Sequence, residues 1–326
     1  MTVYLVHDYW DEAGGEAPAP GFCIGEVESL SETISGLGYG LMRVNGVAAF
    51  LDEAQRISKQ DVVFNIVSGK GSRNRESFVP AICECRGLKC IGPDSFGAAF
   101  TMHKYHAKLF ACQLGVNAPR GFYFDPLIHG ESYFSNALKQ IRPPFIIKPN
   151  HENMSRGVEK LDSREGLLER VLYNSALFGQ AYVVEEYIAG EELSATIAGT
   201  GALASIFSVI QYKRDDLEEI EVFDIGRKED NDIVYMDPDI PVALLEYIRS
   251  KSLLLYRALG LKGFARADWR ADGQSAYFLE MTPIPCLREG TEFHFSAKQA
   301  GTTFEAFIKT VIESAAAHEL EKFISF

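Results

Sequence analysis

No run of this chain comes near the ~18 consecutive apolar residues that a membrane-crossing helix requires, and no cluster of lysine or arginine supplies the basic face that nucleic-acid phosphates demand. Acidic residues outnumber basic ones, 45 to 32, for a formal net charge of −13. A general nucleic-acid binder is therefore excluded, and any nucleotide has to be bound locally. Disulfide patterning is also missing: the six cysteines, at positions 23, 83, 85, 90, 112 and 286, show no framework spacing, and reduced thiols are expected. Cys83 and Cys85 stand two apart in a helical pattern and point to different faces, so with Cys90 they make no zinc site. The seven histidines include no HExxH-type pair. Repeats, low-complexity tracts and flexible linkers are absent. Residues 1–7 are too short and lack the basic flank of a signal peptide, and they read as a first strand. The expectation is a cytoplasmic protein with neither nucleic-acid nor membrane partners.

What is present suits a large globular chain: 326 residues, 47% hydrophobic and 24% charged, enough for two or three domains. Short apolar runs at 3–7, 62–66 and 89–91 alternate with helical patterns at 26–37, 47–57 and 76–86, which predicts a parallel sheet. A helix is expected from about Phe96 to Gly115, followed by a mixed α+β segment with helices at 131–140 and 163–175 and strands at 145–148 and 158–161. Beyond Tyr182 come strands at 193–197 and 203–210, a charged stretch at 214–232, a helix at 242–259, a hairpin and a final helix at 304–316. The division is 1–95, 96–181 and 182–326.

The hairpin carries the chemistry. Asp272-Gly273 is a strong turn signal between runs at 263–270 and 276–281. Pairing Arg270 with Ala276 would set Arg266 across from Glu280 and project Asp268, Glu280 and Thr282 from one face. Hard oxygen donors beside a guanidinium suit Mg²⁺, which shares its shell with nucleotide phosphates. Upstream, Lys148 follows an apolar strand and precedes a polar loop with Ser155 and Gly157, a form that can fold backbone N–H groups over phosphates. Lys104 opens an amphipathic helix.

In order along the chain, Lys104, Ile147-Lys148-Pro149 with its loop, Val184-Glu185-Glu186-Tyr187-Ile188 through Glu192, Arg266-Ala267-Asp268 and Glu280-Met281-Thr282 resemble the ATP-grasp superfamily, and within it the D-alanine:D-alanine ligase group. The likeness extends to the loop, helix and strand from Gly69 to Gly92. It implies an ATP-grasp fold, α/β and α+β in class, with an N-terminal Rossmann-like parallel sheet, a central lid and a C-terminal mixed α+β domain. It also implies roles. Glu185 would accept from the adenine amino group with Glu186 beside it, the Ile188 backbone would meet the ring edge and Glu192 the ribose, and Lys104, Lys148, Ser155 and Gly157 would hold the phosphates. Lys228 would reach the γ-phosphate, Arg266 would stabilise the transferred group, and Asp268, Glu280 and Thr282 would hold two Mg²⁺ ions, with Mn²⁺ a substitute.

On the substrate side the chain departs from the group. Glu26 or Glu28 stands near the acidic residue that holds the first amine. Met154 takes the place of a serine, Glu229 of a tyrosine, Thr282 of an asparagine and Cys286 of a glycine, while Arg288 and Thr291 follow in the substrate loop. The expected activity is ATP-dependent joining of an amino-acid or amino-acid-like carboxylate to an amine through an acyl phosphate, releasing ADP and phosphate, in specialised metabolite biosynthesis. The alternatives are D-alanine:D-alanine ligation and a non-catalytic nucleotide-binding relative. Partners are a small carboxylic acid and an amine, with a homodimer left open.

Overall fold

The computed structural model describes residues 1–8, 24–69, 71–220 and 233–317. The chain opens with β1 (Thr2–His7), α1 (Ile24–Gly36), β2 (Gly40–Asn45), α2 (Val47–Glu53), β3 (Val62–Ile66), α3 (Phe78–Arg86) and β4 (Lys89–Ile91). The strands form a parallel sheet in the order β2-β1-β3-β4. Helices cover both faces, so β1 and β3 are buried on both sides and read as continuous apolar runs rather than alternations. Val3 and Leu5 meet Leu30 and Ile34 on one side, and Tyr4 and Val6 meet Phe50 and Val79 on the other. Strand β2 carries no apolar run: it is an edge strand, and of its six residues only Val44 is buried.

Two helices replace the single one expected over 96–115: α4 (Ser95–Met102), capped by the Asp94 carboxylate on the Gly97 N–H, and α5 (Lys104–Gln113). The break falls at His103 (φ −87°, ψ 83°), with neither proline nor glycine to announce it. Its cause is tertiary. The N–H of Lys104 donates to the Asn150 carbonyl and that of Tyr105 to the Asn150 side chain, so a distant loop caps the start of α5.

Next come β5 (Gly121–Phe124), α6 (Glu131–Leu138), β6 (Phe145–Pro149), β7 (Glu159–Leu161), α7 (Leu167–Phe178) and β8 (Tyr182–Glu186). Their sheet is antiparallel in the order β5-β8-β6-β7. It therefore takes in residues 182–186, which the sequence division placed in the third segment. A second antiparallel sheet, β11-β10-β9-β12-β13, is made by β9 (Glu191–Ala198), β10 (Ser205–Arg214), β11 (Ile233–Met236), β12 (Phe264–Ala271) and β13 (Ala276–Thr282). Helix α8 (Val242–Ala258) packs on it, and α9 (Glu292–Gln299) and α10 (Phe304–Ala317) close the chain. Ala111 and Phe110 of α5 join the core of this sheet, whereas Phe307 and Ile308 of α10 return to the parallel one. Among the described residues no helix is long and apolar enough to cross a membrane.

Trp269 of β12 is fully buried against α8, with its indole N–H donating to Ser252 at 2.9 Å. Trp269→Ala removes the largest buried side chain of this core and leaves that hydroxyl unpaired. It is expected to lower unfolding free energy by about 3–5 kcal/mol, read from the urea midpoint.

Candidate active site

The β12–β13 hairpin differs from the register expected above. The loop is shorter, so Ala271 pairs with Ala276, Arg270 with Tyr277 and Trp269 with Phe278. Carried on unchanged, that register would place Glu280 beside Ala267, on the face opposite Asp268. A bulge intervenes: the pairing shifts by one residue at Leu279, after which Asp268 faces Glu280 and Arg266 faces Thr282. The expected Arg266–Glu280 pairing is thus replaced, while Arg266, Asp268, Glu280 and Thr282 do share one face.

Arg266 grips Asp268 with two nitrogens, Nε to Oδ1 at 2.8 Å and Nη2 to Oδ2 at 3.0 Å, and gives Nη1 to Glu292 Oε1 at 2.6 Å. The Tyr212 hydroxyl reaches that same Glu292 oxygen at 3.0 Å and the Ser194 hydroxyl at 2.9 Å, and Ser194 donates to Asp268. Arginine, aspartate, serine, tyrosine and glutamate so close a ring. Within it, burial raises the Asp268 carboxyl even against the attraction of Arg266, and Glu280 adds to the rise. Glu280 behaves oppositely: burial would raise it, but the ammonium of Lys104, bonded to it, with Lys148 and Arg266, holds it down to about 2.

A second buried charge cluster lies on the β6–β8 sheet. Glu185 is 2% exposed and takes Lys148 on Oε1 at 2.6 Å and Lys108 on Oε2. Burial opposes ionisation of Glu185, and the two ammonium groups reverse the effect and lower its pKa. Lys108 is pulled to about 7 by burial, while Lys148 is raised by Glu185 and Glu280 despite burial. Both oxygens of Glu185, expected to face adenine, are therefore occupied by lysines.

These elements line one cleft, which also contains Ser155, Glu186, Ile188, Glu192 and Arg156. Glu186 accepts from the Arg142 N–H at 2.9 Å, and Glu192 lies 3.6 Å from Arg270. The phosphate-type loop is tightly turned. Met154 and Ser155 both have φ 57°, and a Cβ at Gly157 would stand 2.7 Å from the Phe178 ring and 2.9 Å from Pro149, so only glycine fits. Met154 is exposed, and Asn153 ties the loop to the buried Glu76 at 2.5 Å. Burial holds His103 and His151, 3.1 Å apart beside it, down at about 4 and about 3 respectively.

The substrate loop after β13 reaches α1. Glu26, 1% exposed, accepts from the Leu287 N–H at 2.7 Å and from the Cys286 thiol at 3.1 Å, whereas Glu28 is exposed. Burial, then the Glu26 carboxylate, push the Cys286 thiol well above its usual range. The Thr291 hydroxyl donates to the Arg288 carbonyl at 2.6 Å, closing the loop on itself, and the Arg288 side chain is exposed. Lys228 and Glu229 lie outside the described residues.

Four site residues, Lys108, Ser194, Tyr212 and Glu292, belong to none of the motifs. Lys108 was nonetheless detectable as the i+4 neighbour of Lys104 on one helix face. Ser194 and Tyr212 sit at alternating strand positions with Glu192 and Ile210, a pattern any half-buried strand shows.

Asp268 and Glu280, opposed in the cleft, are hard-oxygen donors of the kind that fit Mg²⁺ sharing its shell with phosphates, and the register puts Thr282 on the same face; no group of three or more His, Cys, Asp or Glu able to hold a metal occurs among the described residues. A family model for the D-ala D-ala ligase C-terminus matches residues 127–313, more than half of the chain. A D-alanine–D-alanine ligase of Xanthomonas axonopodis pv. citri is 29% identical over 289 residues, 87% of each protein. Among solved structures, a Bacillus anthracis D-alanine–D-alanine ligase complexed with ATP superposes with a TM-score of 0.75 at 18% identity, over 97% of each chain. The VanG D-Ala:D-Ser ligase of Enterococcus faecalis does so with 0.75 at 17%, over 96% of this chain and 99% of that one. The family match takes in every motif from Lys148 to Thr291, and the chain belongs to the D-alanine:D-alanine ligase family of the ATP-grasp superfamily, ATP- and magnesium-dependent enzymes that form C–N bonds.

Proposed function

We infer that the protein activates the carboxylate of one D-amino acid with ATP and joins it to the amine of a second, with D-alanine in both positions. The observation that carries the ligase chemistry is the cation-held pair Asp268 and Glu280 facing each other beside Arg266. The D-alanine assignment rests on the relatives, which favour what the sequence held as an alternative over a specialised biosynthetic ligase. The exposed Met154 and the Cys286 thiol at Glu26 favour a second reading, in which one of the two substrates is another amino acid.

Bound to Asp268, Glu280 and Thr282, magnesium would supply positive charge to the phosphates. Lys104 and Lys148 add fixed cations to the same cleft, and the Ser155–Gly157 turn offers backbone N–H groups. A carboxylate oxygen of the acid attacks the γ-phosphorus, ADP departs, and an acyl phosphate remains for the amine. Arg266 cannot swing away while Asp268 and Glu292 hold it, so its charge is in place before the phosphoryl group moves. The three segments 1–95, 96–181 and 182–326 divide this work into acid side, phosphate lid and catalytic sheet, with β8 paired into the sheet of the lid. Of the two acids expected near the first amine, Glu26 is the one that touches the loop after β13, through Leu287 and Cys286, whereas Glu28 is exposed.

With magnesium, ATP and D-alanine the products are expected to be ADP and phosphate; AMP and pyrophosphate would refute the mechanism. Glu280→Gln should lower turnover at least 100-fold in a coupled ADP assay, since the side chain keeps its shape and loses its charge. Failure of D-alanine to elicit ADP, with a different amino acid succeeding, would select the second reading.

Burial raises the Glu26 carboxyl to about 7 from its ordinary value of 4.5, against the opposing pull of the Leu287 N–H, Cys286 and Arg288. The folded protein then holds a proton that the unfolded chain has released, so this residue's contribution is intact below pH ~4.5 and is lost as pH rises through ~7. Glu26→Gln should therefore match wild type at pH 4 and be more stable at pH 8, by up to about 3 kcal/mol. Urea unfolding at the two pH values measures the difference, and an equal offset at both would contradict the buried-proton account.

A further inference from the structure

Glu292 opens α9 directly after the substrate loop, and it lines the cleft. Its side chain is 9% exposed, and both of its hydrogen bonds, from Arg266 and Tyr212, fall on Oε1. Oε2 is left to the cleft. The neighbouring acids serve elsewhere: Asp268 and Glu280, bonded to Arg266 and Lys104, are the residues that would hold magnesium, and Glu185 binds two lysines. Glu292 thus puts a carboxylate oxygen into the cleft beside Arg266, at the exit of the loop carrying Cys286 and Arg288.

We propose that Glu292 receives the amine substrate, binding its ammonium group through Oε2 and accepting the proton that must leave before nitrogen can attack. This rests on the ligase reading above. In the condensing step the nitrogen lone pair forms the C–N bond, and the bond from the acyl carbon to the phosphate oxygen breaks with its electron pair going to phosphate. The ammonium gives up two protons in all. Glu292 takes the first and releases it to solvent, and the second ends on the departing phosphate. Arg266, held on Oε1, keeps the carboxylate oriented and places the receiving oxygen next to the acyl group. Tyr212 fixes the same oxygen from the β10 side.

The test separates the two half-reactions. Hydroxylamine, neutral near pH 7, traps an acyl phosphate as a hydroxamate and needs no base to deprotonate it, whereas an amino acid enters as an ammonium ion. With ATP, magnesium, D-alanine and hydroxylamine together, the ratio of dipeptide to hydroxamate is measured for wild type, Glu292→Gln and Glu292→Asp. Glu292→Gln is expected to lower the ratio at least tenfold, and Glu292→Asp to recover part of it. Tyr212→Phe, which leaves the carboxylate in place but frees Oε1 of one partner, should lower it about threefold and serves if the glutamine variant does not fold. A wild-type ratio in both Glu292→Gln and Tyr212→Phe would overturn the assignment, as would an equal loss of both products in Glu292→Gln, which would show that the residue serves only Arg266. Absence of hydroxamate from D-alanine in wild type would instead refute D-alanine as the acid, and the ratio is then read with the amino acid that does yield it.

Discussion

The site depends on one fork of hydrogen bonds, Arg266 clasping Asp268 two residues along the same strand. Residues i and i+2 of a strand share a face, so the pair forms without long-range help. Everything else is arranged around it. Ser194 of β9 bonds its Asp268 end, Glu292 of α9 bonds its Arg266 end, and Tyr212 of β10 joins the two, so three strands and a helix are tied into one ring. A planar cation with donors on several edges is the side chain that allows this, and lysine in its place would lack the fixed fork that grips both oxygens of Asp268 while a further edge serves Glu292.

Charge is distributed between two buried stations rather than spread along the cleft. At one, Arg266 sits among acids; at the other, Glu185 sits between lysines. Ionised groups so deeply buried are tolerable only because each has a partner in hydrogen-bond contact, and the price is that removing one member strands the rest. Lys104 and Lys148 connect the stations, since both stand within electrostatic reach of Glu280. A chain carrying a net charge of −13 thereby matches each buried acid of the two stations with a cation in direct contact.

Much of this was legible in the sequence, and the failures have physical causes. Strands β1 and β3 declare themselves because burial on both faces demands unbroken apolar runs. Strand β2 does not, because an edge position leaves most of its side chains in water. The motif residues could be placed on one face of a hairpin, yet the pairing could not, since loop length and the bulge at Leu279 are settled by packing of Trp269 and Phe278 beneath the sheet. The split at His103 and the roles of Ser194, Tyr212 and Glu292 come from contacts across 18 to 80 positions of sequence, which no local pattern encodes.

Helix α5 has a mechanical consequence. Its first N–H groups are anchored on Asn150, in the turn that follows β6, while the side chain of its first residue, Lys104, ends on Glu280 of β13. The helix is thus a strut, fastened at one end by backbone to the turn after β6 and at the same end by charge to the β12–β13 hairpin. Any displacement of the turn is transmitted to the lysine, and with it the charge balance at Glu280 changes. The position of the turn after β6 and the charge balance at Glu280 are in this way a single degree of freedom.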